Sequence, residues 1–69
     1  MLLSEVKLGK KYVIVAIKTS KNQLNERGIY VGGTIEILAK SGTQILLAVS
    51  DTVYLLTAQL LHTVEVIDA

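Results

Sequence analysis

His62 is the sole imidazole of this chain, and what it could do depends on its company. As a general base it needs a nucleophile and an orienting acid. Ser4, Ser20, Ser41 and Ser50 offer hydroxyls, but no local pattern gathers one of them with His62 and a carboxylate. As a metal ligand it has Glu65 three residues on, which makes two protein ligands where a closed transition-metal site uses four. His62 and Glu65 are therefore a weak metal candidate. Cysteine is absent, which excludes thiolate sites, disulfides and cysteine nucleophiles. Gly28, Gly32 and Gly33 form neither a phosphate-binding loop nor a dinucleotide fingerprint. The expectation is a chain that is not an enzyme and uses no cofactor.

Binding is the remaining kind of work. Residues 1–27 carry Lys7, Lys10, Lys11, Lys18, Lys21 and Arg27 against Glu5 and Glu26, a net +4, whereas the rest sets Lys40 against Glu36, Asp51, Glu65 and Asp68. A basic and an acidic end could face different partners. Tyr12, Tyr30 and Tyr54, the only aromatics, could stack bases beside these lysines. The overall charge of +1 is low for that purpose, so no nucleic-acid partner is expected. The tyrosines read instead as amphipathic caps, ring inward and hydroxyl in water.

The elements that must carry these residues follow from length and patterning. A chain of 69 residues builds one core, and a domain of this size buries only about 60% of its unfolded surface. Apolar residues make up 51% with no Phe or Trp, so that core is aliphatic, and its Val and Ile favour strands. Apolar runs such as 45–49 are far shorter than the ~20 residues of a membrane span, and the first residues lack a signal-peptide apolar region. A cytoplasmic location without membrane insertion is expected.

Tyr12-Val13-Ile14-Val15-Ala16-Ile17 reads as a first strand. Ser20-Lys21-Asn22-Gln23 has the form of a capping box opening a short helix, docked through Leu24 and closed at Gly28 in the left-handed region. Gly32-Gly33 marks a tight turn before Thr34-Ile35-Glu36-Ile37, where Ile35 and Ile37 face inward. Ser41-Gly42 is a hairpin tip leading to 45–49, and Ser50-Asp51 leads to 53–56. These two runs are apolar on both faces, which fits strong curvature, a covering helix, or an outer face that meets a partner or a second copy. Thr57 caps a single turn with Ala58, Leu60 and Leu61, and Val64-Glu65-Val66 forms the last strand. Five short strands point to a small all-β barrel, which removes exposed sheet edge.

The opening Leu3-Ser4-Glu5-Val6-Lys7-Leu8-Gly9, the stretch Leu24-Asn25-Glu26-Arg27-Gly28-Ile29-Tyr30-Val31-Gly32 and the closing pattern of Leu56, Leu61, Val64 and Val66 resemble the ferrous iron transport protein A family along the whole chain. Leu8 and Val31 stand where that family often has proline, Arg27 where it has an apolar residue, and Gly33 where it has serine or threonine. The resemblance implies one SH3-like barrel of five strands over residues 1–69, with a short helix after strand one and a helical turn before the last strand. It also implies a cytosolic accessory protein of ferrous iron uptake, docking on the GTP-binding domain of the membrane transporter. The surface expected for this comprises Lys18, Lys21, Leu24, Arg27, Gly28, Ile29, Tyr30 and Val31. The alternative is a nucleic-acid-binding or metalloregulator-type barrel, since the same fold occurs in iron-dependent repressors; no helix-turn-helix pattern lies in this chain to support it.

Overall fold

The computed structural model describes residues 2–69, with the backbone alone for Ser4, so the hydroxyl of that candidate nucleophile lies outside the described residues. A 3₁₀ turn at Leu3–Glu5 precedes β1 (Lys11–Ile17), α1 (Lys21–Glu26), β2 (Thr34–Ser41), β3 (Gln44–Val49), β4 (Thr52–Thr57), α2 (Ala58–Leu61) and β5 (Val64–Asp68). The strands form one antiparallel sheet in the order β4-β3-β2-β1-β5.

A flat single sheet would be ~10 Å deep. The chain instead measures 24 × 24 × 23 Å, so the sheet is curled on itself into a small barrel. The curl has a visible cause. Register shifts fall between Ile14 and Ala16 on β1 and between Ile37 and Ala39 on β2, and a bulge bends its strand and increases local twist. The inserted residues, Val15 and Leu38, are pushed outward and exposed.

Inside the curl, alternate residues of every strand meet: Tyr12 and Ile14, Ile35 and Ile37, Ile45, Leu47 and Val49, Leu56, Val64 and Val66. Leu24 from α1 and Ile29 from the loop after it close the core on one side, while Leu3, Val6 and Leu61 close it where the 3₁₀ turn meets α2. The two-faced runs thus keep their period of two, with Leu46 and Ala48 half-buried on the outer face and Val53 and Leu55 exposed. Thr57 caps α2 as expected, its Oγ1 accepting the Leu60 N–H at 3.3 Å.

Two expectations are corrected. Tyr12 is not a water-facing cap. It is 1% exposed, and its hydroxyl accepts the Lys7 N–H at 2.9 Å, which removes it from any base-stacking surface. Nor does the basic half stand clear of the acidic one, because β5 returns beside β1. Lys10 Nζ meets Asp68 at 3.1 Å and Lys18 Nζ meets Glu65 at 3.5 Å. No helix among the described residues is long and apolar enough to cross a membrane.

Candidate docking surface

The loop between β1 and β2 carries most of the residues expected to bind, and it is built from the backbone outward. Ser20 sits at the N-cap of α1 with φ 58° and makes no side-chain cap hydrogen bond, so the expected capping box does not form. An N-cap serine reaches the N2 or N3 amide from an extended backbone, and a left-handed one is turned away. The helix is started by other means: Leu24 N–H donates to Ser20 O at 3.0 Å, and Thr19 is pinned to Thr63 through its N–H at 3.1 Å and hydroxyl at 2.7 Å. Nothing in the local sequence announces that pin, since the two threonines are 44 positions apart.

The helix ends as a Schellman motif. Gly28, at φ 80°, donates to Asn25 O, and Ile29 donates to Leu24 O at 2.9 Å. The apolar contact that accompanies this motif joins its third-last helical residue to the residue after the glycine. Here these are Leu24, 0% exposed, and Ile29, 1% exposed, and both sit in the core. Leu24 and Ile29 therefore cannot touch a partner, which corrects their place in the expected surface. They hold the corner, with Gly28 supplying the left-handed residue between them.

A second rigid device follows. Gly33 N–H donates to Tyr30 O at 2.9 Å, and Gly32 stands at φ 93°, the third position of a type II turn over residues 30–33. The same glycines oppose one residue of β1: Gly32 N–H donates to Ile14 O at 2.8 Å, and Ile14 N–H donates to Gly33 O at 2.9 Å. Two residues against one, the first a left-handed glycine, is a G1 bulge. The turn is thus tied both to itself and to the sheet. Its first two residues, Tyr30 and Val31, are 54% and 51% exposed.

Around this turn the electrostatics are mixed. Lys21 is exposed at the first position of α1. Arg27 lies back along the helix, donating from Nη1 to Gln23 O at 2.8 Å. Lys18 is engaged by Glu65, so its charge is partly offset. That ion pair also bears on the metal candidate, because the Glu65 carboxylate is occupied and His62 Nδ1 lies 2.6 Å from Gln59 O. Among the described residues no group of three or more His, Cys, Asp or Glu comes together. His62 and Ser20 share one open depression of about 400 Å³ with Thr19, Thr57, Gln59 and Leu60, a lining without an acid to orient the ring.

Residues 1–68 match the FeoA domain. The chain belongs to the FeoA domain family. Membership places it among the small accessory proteins of iron transport. A similar solved structure is the crystal structure of an iron uptake regulatory protein (FeoA), 28% identical, with a TM-score of 0.84 over 93% of this chain and 89% of that one. The barrel is accordingly SH3-like. No curated protein matches the chain. The FeoA domain is where glycine and leucine at the corner acquire their meaning: Leu24, Gly28 and Ile29 are the Schellman residues, and Gly32 the turn residue. Position 31, where the resemblance sets proline, is the second residue of the type II turn, whose φ near −60° proline presets.

Proposed function

We propose that this FeoA domain supports ferrous iron uptake by docking on the cytosolic GTP-binding domain of the membrane iron transporter, through the corner at residues 18–31. Tyr30 and Val31 supply the apolar contact. Lys21 and Arg27 supply positive charge at its rim, with Lys18 as a weaker, partly neutralised contributor. Leu24, Gly28 and Ile29 act from within, by fixing the corner's shape.

The observation that carries this reading is a pair of half-exposed apolar side chains mounted on a turn anchored at four backbone hydrogen bonds, counting the two to Ile14, the one across the turn and that of Ile29 to Leu24. A side chain held in place before binding loses less conformational freedom on docking, and Tyr is favoured at such anchors because it offers large area with few rotamers. Charges at the rim of an interface chiefly steer approach.

The test is amide NMR of the labelled chain with the transporter's GTP-binding domain, ferrous ion and short nucleic acid added separately. Shifts clustered at residues 18–33 with the GTP-binding domain alone are expected. The double variant Lys21→Glu, Arg27→Glu should slow association about tenfold at low ionic strength and much less at high salt. Unchanged association kinetics at low salt would reject this surface, and shifts produced only by nucleic acid would favour the regulator-type reading.

A further inference from the structure

The two ends of the sheet are finished differently. At β5 the outer edge is covered in part by the antiparallel bridge from Leu2 to Glu65, and the strand carries Glu65 and Asp68, charges of the kind that discourage edge pairing. Among the described residues β4 has neither protection. Thr52-Val53-Tyr54-Leu55-Leu56-Thr57 contains no charge and no proline, and pairs with β3 without a bulge. A neutral run of strand-favouring residues at a sheet edge is a template for another strand.

The ladder shows which groups are open. Ala58 N–H donates to Thr43 O at 2.6 Å, so the hydrogen-bonded pairs of the β3–β4 hairpin are those in phase with it: Ile45 with Leu56, Leu47 with Tyr54, Val49 with Thr52. Val53 and Leu55 therefore turn their N–H and C=O groups away from β3, toward the open edge. Their side chains lie on the outer face, 54% and 58% exposed, opposite half-buried Ala48 and Leu46.

We infer that this edge pairs with a second copy of the chain, β4 lying antiparallel to β4 about a two-fold axis. Only residues that direct backbone groups outward can form the new bonds, and the register is set by what each side chain then meets. Placing Val53 opposite Leu55 of the second copy uses both residues of both chains, sets Tyr54 across the axis from its counterpart and leaves Asp51 facing a threonine. Shifting to Leu55 against itself sets Val53 against Thr57 and loses an apolar pair. A second copy also brings a neutral edge to a neutral edge, since the Lys10–Asp68 and Lys18–Glu65 pairs lie at the residues flanking β1 and on β5. A stable complex covers about 800 Å² per partner, roughly a fifth of the 4146 Å² surface here and more than one six-residue strand supplies. The dimer is accordingly weak and concentration-dependent.

Sedimentation from tens of micromolar to millimolar protein, with amide exchange read by NMR at both limits, decides the matter. The sedimenting mass is expected to climb toward that of two chains, with about tenfold added protection at the Val53 and Leu55 amides and little at Tyr54. Leu55→Lys abolishes both changes. Val53→Lys does the same, and both side chains lie outside the core, so both variants fold. A mass fixed at one chain across the range, or a dimer that persists in both lysine variants, overturns the proposal.

Discussion

The corner at residues 19–33 and the β3–β4 hairpin at residues 44–57 solve the same problem, holding apolar side chains at a surface, by opposite means. The corner depends on individual residues. Leu24 is needed at one core position, and Gly28 and Gly32 at two left-handed positions that other residues adopt only with strain. The hairpin depends on a ladder and on side chains such as Leu46, Ala48, Val53 and Leu55, any of which another strand-favouring residue could replace. A surface built the first way has one shape. A surface built the second way has an uncommitted edge, suited to adding a strand rather than to reading a particular partner.

The largest effect should come from breaking the corner. Leu24→Ala empties a site that is 0% exposed and lies directly under the Schellman bond to Ile29, so the lost burial and the cavity together should cost about 2–5 kcal/mol. For a domain of this size that is a large share of the total stability. Urea unfolding should show the midpoint fall steeply for Leu24→Ala and shift by less than half as much for Leu46→Ala, whose side chain is only half-buried. Equal costs at the two positions would erase the distinction between the regions.

The same contrast governs what could be read from the sequence. Strands, hairpin tips and the α2 cap were legible because each follows from neighbours: alternation at Ile35 and Ile37, the Thr57 hydroxyl three residues before Leu60, a glycine at 28 after a short helical run. The Ser20 capping box looked equally local and was wrong. Its backbone turns left-handed beside the contact of Thr19 with Thr63, just ahead of β5, a contact that no window of neighbouring residues contains. Charge failed for the same reason. Residues 1–27 are basic in sequence, but antiparallel pairing of β1 with β5 lays Asp68 and Glu65 beside Lys10 and Lys18. Of the expected docking residues, Tyr30, Val31 and Lys21 are exposed, while Leu24 and Ile29 proved to be the corner's foundation, because an apolar residue in a loop can serve either role until the core is known.

A smaller effect should sharpen the comparison by stiffening the corner further. Val31 occupies the second position of the type II turn, where φ suits proline. Its N–H takes no part in the bonds that close the turn or join it to β1, which come from Gly32, Gly33 and Ile14. Val31→Pro should therefore stabilise the fold by about 0.4–1 kcal/mol, by reducing the freedom of the unfolded chain, and raise the melting temperature by a few degrees. A proline placed at Val53, whose N–H faces the open edge of β4, leaves the β3 ladder intact but removes a donor from the proposed strand addition. Calorimetry of Val31→Pro that shows a lower melting temperature would mean the turn needs a freedom its hydrogen bonds do not suggest.

The smallest effect concerns the Lys18–Glu65 pair, and it links the stability of the corner to its charge. The Lys18 and Glu65 side chains are 66% and 36% exposed, so the pair should contribute only about 0.2–1 kcal/mol in a double-mutant cycle. Its electrostatic consequence is separate. Glu65→Gln keeps the shape of the side chain but removes the carboxylate that offsets Lys18, leaving the corner more positive without adding a contact. Association with the GTP-binding domain proposed as the partner should then become a few-fold faster at low ionic strength, with the gain vanishing at high salt, while the dissociation rate stays the same. If Glu65→Gln changed dissociation instead, Glu65 would itself be part of the contact, and the docking surface would extend from the corner onto β5.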